Sequence, residues 1–464
     1  MGITEQLARL AASTPYDDIP AAAVAAAKRS LLDYVGCALL GSTRPGPRIL
    51  RQVIAQQGGA PTATVIGAGE RLPAAQAALL NGASGHADDF DDVGGVGGHP
   101  STKLSPTVLA LGEALGASGA EVLTAWVMGF EVGDWLSRRL GMDRPFHGTS
   151  VFGAPAAAVA AGRLLGLDGE RMAMALGIAT SQSSGLVHNF GTMTKCFHAG
   201  HAAYAGVLAA QLAQAGFTAS PDIVEARQGF ADCFGGEKCH LANGSQPLGQ
   251  WYALAAAAPG VKAWPACFGI HHALTAVFRL RARASVPPDE IVAVQVTLPS
   301  EPGTGPVFYR DATDWLEGKF CLEYTLAAAL ADGRVDLYTY TDEKVRDPRI
   351  RRLMACIAAR RDPDVALRSP RLRRHELFAE VTVTLHDGTV LRERADRADT
   401  LQGDAVLDKF RRNATRVLPA DVADAVAADL ARLETLDDVG PLVRALAAPA
   451  AVAEAAAAAA AASR

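Results

Sequence analysis

The sequence predicts a mainly α protein with a smaller α+β domain: a large helical domain built by both ends of the chain, and an α+β lid inserted between them. Three observations carry this. Up to Pro259 the chain reads almost wholly as helices joined by short Gly- and Pro-marked links. From there to about residue 398 helical and alternating patterns mix, and Asp387-Gly388 sits between two alternating arms, the strongest short hairpin signal. After Thr400 the helical pattern returns in LDKFRRNATRVL and PADVADAVAADLARLETL, a segment expected to pack back on the first domain. The predicted domains are therefore residues 1–259 with 399–445, and residues 260–398. The Ala-rich residues 446–464 lack an apolar face to dock and are expected to fray. A length of 464 residues suits two cores better than one.

In chain order, Asp18 and Pro20 open a helix, AAAVAAAKRSLLDYVGCALLG, that is apolar on most sides and so reads as buried. A second helix covers 45–57. The run 62–69 is β-rich and ends in glycines, and 73–86 is helical again. After the loop from Asp88 to Ser105, helices are predicted at about 105–116, 118–140, 150–166, 169–183 and 198–215, with another from Pro221 to about 234. The inserted domain reads as helix 269–283, strand 290–299, helices 314–332 and 341–360, and the hairpin 378–395.

Composition excludes several classes. The net charge is −5, and only Arg368 to Arg374 approaches a basic cluster. That stretch reads as a solvated loop, so no nucleic-acid partner is expected. The seven cysteines are scattered with no C-x-x-C pair, which fits free thiols in a reducing compartment. The N-terminus carries Glu5 and Arg9 and no long apolar core, so it is not a secretory signal, and no stretch has the bulk of a membrane span. A cytoplasmic protein without a membrane partner is expected.

Among motifs, Gly67 and Gly69 form a GxG after a strand, but Leu72 stands where a dinucleotide fingerprint needs its third glycine. The loop from Asp88 to His99 crowds Asp88, Asp89, Asp91 and Asp92 ahead of two Gly pairs and His99-Pro100. Carboxylates so close must be paired or solvated. A cap followed by a turn, a hard-cation site without EF-hand spacing, and an Asp that orients a histidine all remain open. His147 precedes a helix start, where it is either a cap or part of an anion site. Lys195, between a Gly-containing loop and an Ala-rich helix, is either a surface lysine or a carboxylate holder. His198 and His201, with no ligand partners nearby in sequence, read as packing groups. In the inserted domain Lys262 precedes Trp264-Pro265, and Lys319 and Tyr324 lie near a helix start. Taken alone, Tyr324 is a partly buried core aromatic.

Five segments in order, LLDYVGCALLGS, NGASGHADDFDDV with GGHPS, the HGTS stretch, GTMTKCFHAGHAA and KFCLEYTLAAALADGRVDL, resemble the MmgE/PrpD family, and the resemblance runs to about Pro441. It implies a helical domain with an α+β lid, a homodimer, a site in the cleft between the domains, and no metal or organic cofactor. It implies acid–base chemistry on a small di- or tricarboxylate: 2-methylcitrate dehydration, cis-aconitate decarboxylation or iminodisuccinate epimerisation. By motif it places site residues at Asp89, His99, His147, Lys195 and Tyr324, with Lys262 from the Lys-x-Trp-Pro stretch. The chain departs from the decarboxylase pattern at Val93, where a threonine is expected. On this reading Lys195 and Lys262 hold carboxylates, His99 and His147 move protons, Asp89 orients a histidine and Tyr324 donates a proton. Dehydration of a 2-methylcitrate-like acid is the leading expectation. Epimerisation, decarboxylation and a helical protein that only binds anions are the alternatives.

Overall fold

The computed structural model describes residues 1–141, 145–235, 239, 241, 252–303, 306–368 and 377–447. It is mainly helical with a smaller α+β part, and it divides into two compact units. The first comprises Met1–Leu186, Thr194–Val261 and the chain from Gln402 onward; the second comprises Val187–Met193 and Lys262–Leu401. Relative to the sequence expectation the boundaries shift by two or three residues, and the short segment 187–193 goes with the second unit.

The first unit contains α1 (Ile3–Ser13), α2 (Ala21–Ser42), α3 (Pro45–Ala55), α4 (Ala74–His86), α5 (Ser101–Leu115), α6 (Gly119–Leu140), α7 (Gly148–Val151), α8 (Gly153–Leu164), α9 (Gly169–Thr180) and α10 (Thr194–Gln214). Ser118 and Glu121 close a capping box at the start of α6, and Asp168 caps α9 through Arg171 N. Helix α10 is buried on most sides and packs on α4, α5, α8 and α9. Small residues make this possible. A Cβ on Gly200 would lie 2.2 Å from the Leu79 carbonyl oxygen, and one on Gly82 would lie 2.9 Å from Gly200 Cα. The α4 and α10 backbones therefore touch, and the C-terminal end of α4 meets the N-terminal end of α10. His86 and Lys195 stand at those two ends.

The helix Asp404–Ala414 packs on α2 in the same unit. Its Lys409 is 1 % exposed and forms a buried ion pair with Asp33, Nζ to Oδ1 2.7 Å. The same ammonium donates to the Phe90 carbonyl at 2.6 Å and lies 3.8 Å from the Phe90 ring centroid. A cation from the far end of the sequence thus anchors the backbone of the acidic loop.

The second unit is built on a four-stranded sheet in the order Ile357–Arg361, Ile291–Leu298, Ala379–Leu385, Val390–Ala395. The first pair is parallel and the other two are antiparallel. The helix Phe268–Arg283 packs on it. The predicted hairpin is present: Gly388 has φ +84°, and Asp387 Oδ1 accepts from Thr389 N at 2.8 Å.

Three helix expectations are corrected. Residues 341–360 form helices Asp342–Val345 and Pro348–Ala355 and then the parallel strand Ile357–Arg361. Pro348 starts a new helix behind the Asp347 cap, and the alternating burial of 357–361 suits a strand. The predicted helix 314–332 is two, Trp315–Gly318 and Leu322–Asp332. Of 221–234 only Phe230–Phe234 is an α-helix; the residues after Pro221 are turns. The tail from 448 and most of the basic run, 369–374, lie outside the described residues. Among those described, no helix is long and apolar enough to cross a membrane.

Candidate active site

The four clustered aspartates of the loop after α4 are all buried, and each has a partner. Asp88 Oδ2 lies 2.8 Å from Arg44 Nε. Asp89 Oδ1 accepts from Lys195 Nζ at 3.2 Å. Asp91 Oδ1 lies 2.9 Å from His86 Nδ1, and its Oδ2 lies 2.8 Å from His99 Nδ1. Asp92 accepts from the Ser101 amide at 3.2 Å and the Ser101 hydroxyl at 2.6 Å. The open question of how such acids tolerate one another is answered by pairing.

This loop then leads through a glycine-rich wedge to α5. Asp89 has φ +50° and Val96 has φ +45°, a left-handed conformation that is a true outlier for a β-branched residue. The wedge is held from behind. The buried Lys103 ammonium donates to the Val96 carbonyl at 2.9 Å, and Asp134 Oδ1 accepts from Val96 N at 3.4 Å. Burial brings the Lys103 ammonium down to about 7, against the pull of Asp92 and Asp91. The tip touches the segment that carries His147. A Cβ on Gly97 would lie 2.5 Å from the Gly148 carbonyl oxygen, and one on Gly148 would lie 2.5 Å from that of Gly97. Two glycines on separate segments thus set the spacing of His99 and His147.

Around Lys195 the structure gathers His86, Asp89, Asp91, His99, His147 and His198. Lys195 Nζ stands 2.6 Å from His86 Nε2. The His86 ring lies 4.6 Å from that of His99 and stacks 5.8 Å from that of His147. His147 Nδ1 is 3.2 Å from His198 Nδ1. His147 is the N-cap residue of α7, yet its side chain makes no capping bond. His99 Nε2 lies 3.7 Å from Asp89 Oδ1, and its Nδ1 also lies 3.0 Å from the Asp92 carbonyl oxygen. The carbonyl acceptor, with the Asp91 carboxylate close by, fixes the proton at Nδ1.

Burial, reinforced by the Lys195 ammonium, pushes His86 down to about 3 and His198 to about 4, and holds His147 well below the usual imidazole range. These three rings are neutral at pH 7. Burial works to raise Asp91, but His86 and His99 outweigh it and keep it a carboxylate. Asp92 is raised to about 7 by burial and by Asp33.

His86, Asp89, Asp91 and His99 each offer a ligand atom, all within 4.8 Å of one another, the usual preliminary to a metal centre. The set does not fit one well. The Lys195 ammonium already lies against His86 Nε2 and Asp89 Oδ1, and Asp91 is engaged by the Nδ1 atoms of both histidines. The donor set suits an ammonium and movable protons.

Asp89, His99, His147 and Lys195 are thus neighbours in the first unit. Lys262 and Tyr324 belong to the second. There the fully buried Lys262 ammonium donates to the Ala266 carbonyl at 3.1 Å. The Tyr324 hydroxyl donates to the Thr339 carbonyl, and burial raises its pKa. Tyr324 is wholly buried, more so than its sequence position suggests. Sequence reasoning missed His86, gave Asp91 no role of its own, and read His198 as a packing group. The available signal was His86 three residues before Asp89, at the end of an Ala-rich helix.

The chain is similar to the cis-aconitate decarboxylase of Mus musculus, 28 % identical over 97 % of this chain and 94 % of the relative. It is similar to that of Homo sapiens, 29 % identical over 91 % and 90 %. It is also similar to the 2-methylcitrate dehydratase of Cupriavidus necator, 26 % identical over 88 % and 90 %. Residues 5–241 match the MmgE/PrpD N-terminal domain and residues 264–433 the MmgE/PrpD C-terminal domain. With both family domains matched in order along most of its length, the chain belongs to the MmgE/PrpD family.

Proposed function

We propose that the protein is a cofactor-independent lyase of a small tricarboxylate, and that its reaction is decarboxylation of a cis-aconitate-like acid. The observation that carries this is one buried ammonium, Lys195, set among neutral imidazoles and carboxylates. In a β,γ-unsaturated carboxylate the C–C bond to the carboxylate breaks and carbon dioxide leaves. The electron pair shifts through the alkene to the carbon beside another carboxylate, and that carbon takes one proton. The protein has to hold carboxylate charge, stabilise its growth and supply that proton. Lys195 does the first two. A bound polyanion favours a protonated imidazole beside it, so that His99 or His147 carries the proton to carbon. Asp89 holds the ammonium in place.

The relatives put decarboxylation ahead of the dehydration that the sequence favoured: the two decarboxylases align over 97 % and 91 % of this chain at 28 % and 29 % identity, against 88 % and 26 % for the dehydratase. Dehydration stays as the second reading because a dehydratase is among the relatives. Lys262 and Tyr324 are retained as proposed contributors on the family resemblance, as is a homodimer; a cytoplasmic location is retained on the scattered cysteines.

Incubation with cis-aconitate and, separately, 2-methylcitrate in deuterated water tests the assignment. Decarboxylation gives carbon dioxide and a product with one new carbon–deuterium bond. New alkene absorbance from 2-methylcitrate without carbon dioxide would move the assignment to a dehydratase. Binding of either acid without turnover would remove the enzyme reading.

A further inference from the structure

His86 lies outside the set of residues that the family resemblance assigned to the site, yet its Nε2 lies 2.6 Å from Lys195 Nζ. Its surroundings fix its hydrogen atoms. Asp91 Oδ1 lies 2.9 Å from Nδ1, and a carboxylate oxygen only accepts, so Nδ1 bears the proton. Nε2 then presents a lone pair, and Lys195 Nζ lies 2.6 Å from it. The ammonium donates to this nitrogen and to Asp89 Oδ1 at 3.2 Å. Asp91 also lies 2.8 Å from His99 Nδ1, whose hydrogen bond goes to the Asp92 carbonyl oxygen at 3.0 Å, so the same acidic loop sets the tautomer of both imidazoles. All of these groups are buried except the slightly exposed His99, and solvent does not compete for the bonds.

We propose that His86 is a positioning residue for Lys195: Asp91 locks the imidazole in its Nδ1–H form, and Nε2 aims the ammonium at the substrate carboxylate. A neutral acceptor has a particular advantage here. It orients the ammonium without setting a second carboxylate beside Asp89, so more of the attraction for a polyanion is kept. A lysine on a four-carbon stem has no preferred direction of its own, and a bond to Nε2 supplies one. This inference rests on the assignment of Lys195 as the carboxylate holder.

Two amide substitutions separate the roles of the two ring nitrogens. His86→Gln places an amide near the Nε2 position and keeps an acceptor for Lys195. His86→Asn places one near the Nδ1 position and keeps a donor to Asp91 but loses the contact to Lys195. If His86 positions Lys195, the Gln variant retains more kcat on cis-aconitate than the Asn variant, which falls by up to about 100-fold, the scale of misplacing a catalytic group by about 1 Å. If His86 only braces Asp91, the order reverses. Both variants are compared at equal thermal stability, or with stability measured alongside. Nitrogen-15 histidine spectra of the wild-type protein give a second readout that needs no substrate. An Nδ1–H, Nε2-acceptor signature for His86 is expected, and an Nε2–H signature overturns the inference. Absence of turnover on any tricarboxylate would count against the lyase assignment and leave the spectra to decide the role of His86. Equal kcat in the Gln and Asn variants of an active enzyme would overturn the role of His86 alone.

Discussion

Lys195→Met removes the ammonium and keeps most of the side-chain volume, and the structure says how stability should then depend on pH. In the wild type, burial and the Lys195 charge hold His86 at about 3, against an ordinary value of 6.5. A group whose folded pKa is depressed contributes stability above its unfolded pKa and loses it as pH falls toward the folded value. Between pH 6.5 and pH 5 the unfolded chain takes a proton that His86 refuses. That window of one and a half units, at about 1.36 kcal/mol each, amounts to about 2 kcal/mol from this group. Without the ammonium, His86 gains a proton more readily and pairs with Asp91, which restores part of the missing positive charge. His147 and His198 are depressed by the same ammonium and shift in the same direction. At about pH 7.5 the variant should be less stable than the wild type, by up to about 3–5 kcal/mol for a broken buried pair. At about pH 5 the gap should narrow by about 1–2 kcal/mol, because burial remains as the larger cause of the His86 shift. Denaturant unfolding at the two pH values measures it. A gap that stays constant or widens on acidification would refute the picture of neutral histidines held down by Lys195.

The other predictions concern turnover and the framework of the loop. His99→Ala and His147→Ala should each lower kcat on the true substrate by about a hundredfold with the fold intact by circular dichroism; near-normal turnover in both would place the proton donor elsewhere. Gly97→Ala forces a left-handed residue and a Cβ 2.5 Å from the Gly148 carbonyl oxygen, and should cost about 2 kcal/mol or more and lower turnover by separating His99 from His147. Wild-type melting temperature and activity in that variant would show that the wedge does not set the spacing. Lys409→Met strands Asp33 and releases the Phe90 carbonyl, and should cost about 3–5 kcal/mol. Adding Asp33→Leu should recover part of that loss in a double-mutant cycle, and no recovery would mean that the pair is uncoupled.

Much of the fold was legible because local signals agreed with it. The hairpin followed from Asp387-Gly388 and its alternating arms. The helices of the first unit followed from apolar periodicity and short Gly- and Pro-marked links. The break at Pro348 was read through as helix because the next residues, Met354 to Arg361, have no strong strand signal of their own. Their partner is Ile291–Leu298, and long-range pairing decided the matter. The site was legible where a motif concentrated chemistry, as in the acidic loop with His99 and in the segment with Lys195. His86 was not, because an Ala-rich helix with a terminal histidine looks the same whether or not a lysine from another helix faces it. The buried cations Lys103 and Lys409 were missed for the same reason. Their partners, Val96 and Asp33 with Phe90, are set by packing rather than by sequence neighbourhood.

The most direct test of the central claim is the carbon dioxide released per cis-aconitate consumed by protein dialysed against a chelator. The account predicts one carbon dioxide per molecule consumed, a rate unchanged by the chelator, and loss of that rate in Lys195→Met. Consumption without carbon dioxide, no consumption at all, or a rate that returns only when a divalent ion is added back would contradict it.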